Sequence, residues 1–323
     1  MTGQFITHPS SLVTMAIPAD VFETDRRLLW GLCYRMTGNA ADADDLVQET
    51  FVRAIEHPPR RMDEPLRPWL VRVAINLSRD LLRRRRRQSY TGNWLPSPVP
   101  TENKDDPASY EPPAPSKDSP AARYELMESL SFAFLLALEA LTPSQRAALL
   151  LRDVFDYSTT ETAEALDITE ANAKVLLLRA RRRMQEYDRN RANLSPERLE
   201  ATRHALEQFL LCLDRRDVKG LERLLTEDVV SVSDGGGVVE AALRPITGRD
   251  KLLRLTLALS AKSVSVPRVS LRVLNGLPAI LFEDVVSTST RATRYTIQIE
   301  VDDAGRIRRL DAVLAPNKLT AIR

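Results

Sequence analysis

The sequence predicts a chain of three parts, two all-α helical domains followed by an α+β domain, and three observations carry that prediction. Apolar residues recur at three- and four-residue steps across 19–90 and again across 121–192, the mark of helices with one buried face. Eight of the chain's 20 prolines fall between Pro96 and Pro120, among Ser, Asp, Glu and Lys, a composition that supports neither helix nor sheet and reads as an extended, mobile linker over 91–120. From 195 to 323 the apolar period changes to two, the spacing of strands with one buried face.

Residues 1–18 are polar with scattered Pro and Gly and read as a loose tail. A first helix carries Leu28, Leu29, Leu32, Cys33 and Met36 and stops before Gly38, a helix terminator. A second runs from about Ala41 to Ile55 with Leu46, Val47, Phe51 and Ile55 inward, and a third from about Leu66 to Arg86 with Trp69, Leu70, Val73, Leu77 and Leu81 inward. In the second domain Thr142-Pro143 with Gln145, and Ser158 with Glu161, are helix starts with capping boxes, and Thr169 caps a last helix. The third domain opens with helices near 197–214 and 218–225. Val269, Leu271 and Val273, the Asn275-Gly276 turn, Tyr295 to Val301 and a final strand from Ile307 to Val313 then predict an antiparallel sheet with helices on one side.

Lys and Arg number 46 against 44 Asp and Glu, a near balance that hides two local excesses. Arg83 to Arg87 form one run, and Lys174, Arg179, Arg181, Arg182 and Arg183 another, which suggests local contact with a polyanion. Solvated helix ends are the competing explanation for either run alone. Cys33 and Cys212, the only cysteines, sit far apart in apolar patterns, so neither a disulfide framework nor a zinc site is indicated, and no cofactor is called for. No stretch reaches the ~18 consecutive apolar residues of a membrane span, and a cytoplasmic, nucleoid-associated protein is expected.

On the third helix Arg72, Asn76, Arg79, Arg83 and Arg86 are spaced by four, three, four and three and share one face. Such an edge can hold phosphates through its arginines and an unpaired base through its amide. On the second helix Asp42, Asp44, Asp45 and Glu49 crowd the first turns beside Leu46, Gln48 and Arg53, which suits docking on a basic partner, although acidic residues also favour any helix N-terminus. Ser158 to Arg183 fits a helix-turn-helix whose recognition helix starts at Thr169 and exposes Glu170, Asn172, Lys174, Val175, Leu178, Arg179 and Arg181.

LLWGLCYRMTGNAADADDLVQETFVRAI, followed by PWLVRVAINLSRDLLRRRRR, resembles region 2 of extracytoplasmic-function sigma factors, and the segment from Leu141 to Met184 resembles their region 4. The resemblance implies that Asp42 to Arg53 dock on the clamp of core RNA polymerase. It implies that Asn76 and its arginines capture the minus-10 element, and that the helix from Thr169 reads the minus-35 element. Trp94, Leu95 and Pro96, then Asp234, Gly235, Gly236 and Gly237, then Pro316, Asn317, Lys318 and Leu319 are similar to motifs of the subgroup that carries a C-terminal domain of the SnoaL or nuclear-transport-factor-2 (NTF2) type, a cone-shaped α+β fold. In that subgroup the tail folds back on the sigma domains and regulates them. This chain departs from the subgroup pattern at Ser97, Val238 and Ala315.

The tail's fold type also hosts enzymes. Its candidate groups Asp234, Asp250, Asp284 and Tyr295 lie on separate elements, and His204 lies in a helix, which argues against proton-transfer chemistry and leaves room for a small-molecule effector. The expectation is a promoter-recognition subunit with no chemistry of its own. A stand-alone helix-turn-helix regulator and a SnoaL-like enzyme with appended DNA-binding helices are the alternatives.

Overall fold

The computed structural model describes residues 19–58, 65–88, 90–103, 123–191, 195–261, 268–283 and 292–322. Three helices come first: α1 (Ala19–Thr37), α2 (Ala40–Glu56) and α3 (Leu66–Arg85). Gly38, at φ 64°, breaks α1, and the Asn39 side chain accepts from the Asp42 amide to start α2. Then follow α4 (Phe132–Leu138), α5 (Pro143–Leu149), α6 (Thr159–Leu166) and α7 (Glu170–Asn190), with α5 and α6 started by the two expected capping boxes and α7 by Thr169.

The two helical regions do not stand apart. One apolar core runs from Leu28 through Leu82 into Phe134, Leu149 and Met184, joining both. Two buried guanidinium groups cross the seam: Arg35 of α1 donates to Ser129 Oγ at 2.6 Å and to the Leu126 carbonyl at 2.9 Å, and Arg146 of α5 donates to the Met36 carbonyl at 2.7 Å.

The third region is α8 (Pro196–Asp214), α9 (Val218–Leu224), β1 (Leu225–Asp234), β2 (Ile246–Thr247), α10 (Arg249–Ala261), β3 (Arg268–Leu274), β4 (Leu277–Glu283), β5 (Arg294–Val301) and β6 (Ile307–Val313). The α+β class is as expected, but the sheet is mixed: in the order β2-β1-β6-β5-β4-β3, strand β1 pairs with β6 in parallel. No hairpin joins β1 to β6, so the long intervening chain lets them run the same way. Ile280, Phe282, Ile299 and Leu310 pack with Leu206 and Phe209 of α8 and Leu252 of α10. Ala279, Leu281 and Val313 point the other way and join Leu95 and Phe132 in a separate cluster. One sheet face thus meets its own helices and the other meets the rest of the chain. Asp284 lies outside the described residues.

Residues 90–103, read as part of a mobile linker, are extended but packed. Leu95, Ser97 and Val99 are fully buried, and Pro100 forms a bridge with Leu274. Proline density excludes helix and ladder; it does not exclude an extended strap bonded to a neighbouring surface.

On the sheet face turned away from its own helices, beside Val313, Asp311 is 5% exposed, with Arg309 Nε at 2.9 Å. Burial pushes its carboxyl from 3.8 up to about 6 against the pull of Arg309. Between those values the folded chain holds a proton that the unfolded chain has lost, so this group makes stability fall as pH rises from 3.8 to about 6. Urea midpoints taken across that interval should show the Asp311→Asn chain lacking this component of the slope. Parallel profiles for the two chains would refute it.

Candidate polymerase and DNA interfaces

On α2 the structure divides the acidic cluster. Asp45, Gln48, Glu49 and Arg53 face solvent, the last two joined at 2.9 Å. Asp44 is exposed and accepts from the Trp30 indole at 2.8 Å. Asp42 is half-buried and bonded to Arg85, its carboxyl raised by burial against the Arg85 charge. Leu46 is 7% exposed and belongs to the core, so it is removed from the predicted docking set, and Val47 is buried too. Ile55, expected inward, is 55% exposed, and Val52 is 45% exposed. The free surface of α2 is therefore carboxylates beside two aliphatic side chains. At about 3.6 residues per turn Ile55 stands about 80° round the helix from Val47 and about 180° from Leu46, which carries it out of the stripe that holds those two in.

The arginine edge of α3 forms as expected and faces the second helical region. Arg79 donates to Asn76 Oδ1 at 3.2 Å and approaches the Leu166 carbonyl at 3.5 Å, Arg72 pairs with Asp167 at 3.1 Å, and Arg86 donates to the Leu141 carbonyl at 2.6 Å. Burial lowers the Arg79 guanidinium from its ordinary value. Arg83 pairs with Asp80 and stays exposed. The edge is present; three of its four arginines hold groups of the second helical region, and the fourth holds a carboxylate of α3 itself.

Asp167, at φ 56°, caps α6 in the left-handed region that Asp tolerates better than most side chains, and its carboxylate is what reaches Arg72. On α7 the residues Glu170, Asn172, Lys174, Val175, Leu178 and Arg179 are exposed, as is Thr169 at its cap. Glu170 accepts from Thr160 at 2.7 Å. Arg181 is a correction to the DNA-facing set: it forms a bidentate pair with the buried Asp153, at 2.9 and 2.5 Å, and fastens α7 to the turn after α5. Arg182, one step round the helix, is exposed, as are Arg179 and Arg183.

The three motifs that the tail resemblance singled out come together. Lys318 Nζ lies 2.6 Å from Asp234 Oδ2 and 2.5 Å from the Leu95 carbonyl, with side-chain exposures of 2% and 0% for the ionic pair. Asp234 also accepts from the Leu95 amide at 2.8 Å and the Tyr90 hydroxyl at 2.6 Å. The ammonium sits 4.6 Å from the Trp94 ring centroid and 4.9 Å from that of Tyr90. Burial brings its pKa down to about 8, opposed by the Asp234 charge. A Cβ on Gly236, at φ 64°, would stand 2.9 Å from that of Ala315, and one on Gly38 would stand 2.5 Å from Trp94, so both glycines leave room for the latch to close. Pro316, Asn317 and Lys318 form a single turn that touches α2. Val238 is 68% exposed and takes no part.

A second junction went unread in the sequence. Asn275, expected only as a hairpin turn, donates to the Tyr34 hydroxyl at 2.7 Å and the Leu130 carbonyl at 2.8 Å, while its Oδ1 accepts from the Val99 amide at 2.9 Å. One side chain thus ties tail, strap and both helical regions. Its signal was available only as an Asn before Gly, which any hairpin shares.

Among the described residues the enzyme candidates do not converge. Asp234 is held in the latch, Asp250 and His204 are exposed on different helices, and the Tyr295 ring stacks on Phe282 at 4.6 Å. Among the described residues there is no cluster of metal-ligating side chains, and no helix long and apolar enough to cross a membrane.

Comparison with known proteins gives two family matches, Sigma-70 region 2 over residues 21–88 and Sigma-70, region 4 over 131–184. The chain is 34% identical over 240 residues to the ECF RNA polymerase sigma factor SigJ of Mycobacterium tuberculosis, covering 74% of this chain and 72% of that one. It is 26% identical over 303 residues to the probable ECF RNA polymerase sigma factor SigI of the same species, covering 92% and 93%. The crystal structure of the M. tuberculosis extracytoplasmic function sigma factor SigJ superposes with a TM-score of 0.67 at 28% identity, covering 94% of this chain and 99% of that one.

Proposed function

We propose, from the premise that this chain belongs to the ECF family of RNA polymerase sigma factors, a division of labour among its parts. It is a sigma factor, a subunit that binds core RNA polymerase and promoter DNA to initiate transcription. In our reading Asp45, Gln48, Glu49, Val52 and Ile55 make the surface for the polymerase clamp, with the carboxylates steering the encounter and the aliphatic pair supplying the desolvated centre. Asn76 with Arg72, Arg79, Arg83 and Arg86 captures the minus-10 strand once it is melted. The N-terminal half of α7 reads the minus-35 duplex. The chain works in the cytoplasm and contributes specificity, with the chemistry left to polymerase. A small-molecule effector of the tail is not required by this reading.

The observation that carries the reading is that Arg72, Arg79 and Arg86, the side chains suited to DNA phosphate, are bonded to Asp167 and to the carbonyls of Leu166 and Leu141. The structure is therefore read as a closed form, in which region 4 covers the minus-10 edge of region 2 and the tail clasps both through the Asn275 junction and the Lys318 latch. Exposed ion pairs such as Arg72 with Asp167 contribute at most about 1 kcal/mol each, so opening is decided by the shared core and by the latch.

Run-off transcription with purified core polymerase tests the assignment, comparing the full chain with one ending after Arg191 and with Asp45→Arg/Glu49→Arg. The double charge reversal should abolish co-purification with core enzyme while leaving the circular dichroism spectrum unchanged, because both residues are solvent-exposed. Normal co-purification would remove α2 as the docking surface. Truncation should leave the helical core folded and change transcript yield; unchanged yield would remove the tail as a regulator.

A further inference from the structure

The exposed side of α7 carries an apolar stripe that neither folding nor phosphate binding explains. Ala171, Val175, Leu178 and Arg182 succeed one another at steps of four, three and four, and all face solvent, whereas Ala173, Ala180 and Met184 hold the opposite side in the core. Val175 is 44% exposed and Leu178 53%. Single apolar side chains on a surface are ordinary, but these two are adjacent on the helix, and Lys174, Arg179 and Arg182 stand exposed beside them. A protein partner for this helix would have to be acidic and apolar at once. A DNA groove meets both demands: its phosphates take the cations, and one base offers an aliphatic group.

In the major groove G, A and C present nitrogen, oxygen and amino edges, while T alone adds a methyl. An aliphatic side chain at the base edges would leave polar groups of the first three without partners, and would gain contact only with the last. The αL turn at Asp167 and the Thr169 cap set α7 as the second helix of a helix-turn-helix, the element whose N-terminal half enters that groove. We propose that Val175 and Leu178 read thymine 5-methyl groups, so that the minus-35 element of this sigma factor requires T·A pairs whose methyls face α7. The inference rests on the assignment of α7 to the minus-35 duplex and adds which base feature it recognises.

The test uses holoenzyme assembled from the full chain and core polymerase. A minus-35 element is first selected from duplexes randomised upstream of a fixed minus-10 segment. Each thymine of the selected element, on either strand, is then replaced by deoxyuridine, which removes the methyl and preserves every hydrogen bond. At one or two positions holoenzyme binding should weaken about three- to fivefold, the effect of one buried methyl-sized group. In the chain carrying Val175→Ala and Leu178→Ala that discrimination should fall to near unity, while Val175→Ile keeps it; both sites are exposed, so the fold should survive. Absence of any sensitive thymine overturns the proposal, as does discrimination that persists in the double variant. Lys174→Ala/Arg179→Ala separates the layers. Weakened duplex binding in that variant, with indifference to deoxyuridine throughout, overturns methyl reading alone; unchanged duplex binding would overturn the placement of α7 on the duplex, and methyl reading with it.

Discussion

Asp234→Ala should release the tail from the helical body. Among the described residues the carboxylate is the sole counter-ion bonded to the buried Lys318, and it also receives the Leu95 amide, the Tyr90 hydroxyl and the Gly236 amide. Removing it strands an ammonium group between two aromatic rings with the Leu95 carbonyl as its hydrogen-bond acceptor among the described residues. Loss of one member of a buried ion pair destabilises by roughly 3–5 kcal/mol, which exceeds what an exposed contact could restore. The cost falls on the docked arrangement as well as on the tail itself, because Asp234 and Lys318, both tail residues, each also bond the Leu95 backbone of the strap. Faster hydrogen exchange at the Leu95 amide, and at the Val99 amide held by Asn275, should follow. Adding Lys318→Met should restore part of the protection, since no uncompensated charge then remains inside. Exchange unchanged at both amides in the single variant would mean that the latch does not hold the tail.

Helices with a readable cap were legible in the sequence, since Thr142, Ser158 and Thr169 each bond the amide three positions on, whereas α4 and α10 went unread. The arginine edge of α3 was legible for the same reason, periodicity being local. What escaped was long-range. Asp234 and Lys318 are separated by 84 positions, and motif resemblance suggested a meeting that spacing alone could not show. The strap escaped because a proline-rich extended segment has the same composition whether it lies on a surface or hangs in water. Arg181 escaped because its partner Asp153 lies in the irregular turn after α5, where no period tells inside from outside. Arg35 and Arg146 are the plainest failures: charged side chains are assigned to the surface by default, and these two are 2% and 3% exposed.

Those two arginines lie where the closed form must part, and Arg35 shows why it can. Among the described residues its hydrogen-bond partners are the Gly31 and Leu126 carbonyls and the Ser129 hydroxyl, none of them a carboxylate, and its guanidinium lies 5.3 Å from the Phe155 ring centroid. Burial without a counter-ion pulls its pKa down to about 9, so the ionised form is held against its preference for water. Opening returns that charge to solvent, and its rehydration offsets part of the cost of exposing the apolar core. Arg35→Met should therefore favour the closed form: the stem still fills the site, Ser129 Oγ still donates to the Leu126 carbonyl at 2.6 Å, and no charge remains to be desolvated. A stabilisation on the order of 1–4 kcal/mol is expected, with transcription and holoenzyme formation falling by about tenfold for each 1.4 kcal/mol by which opening becomes harder. The urea midpoint of the free chain should rise as transcript yield falls. A lower midpoint would mean that the three hydrogen bonds outweigh the burial cost, and that Arg35 is a clamp on the closed form rather than the group that lets it open.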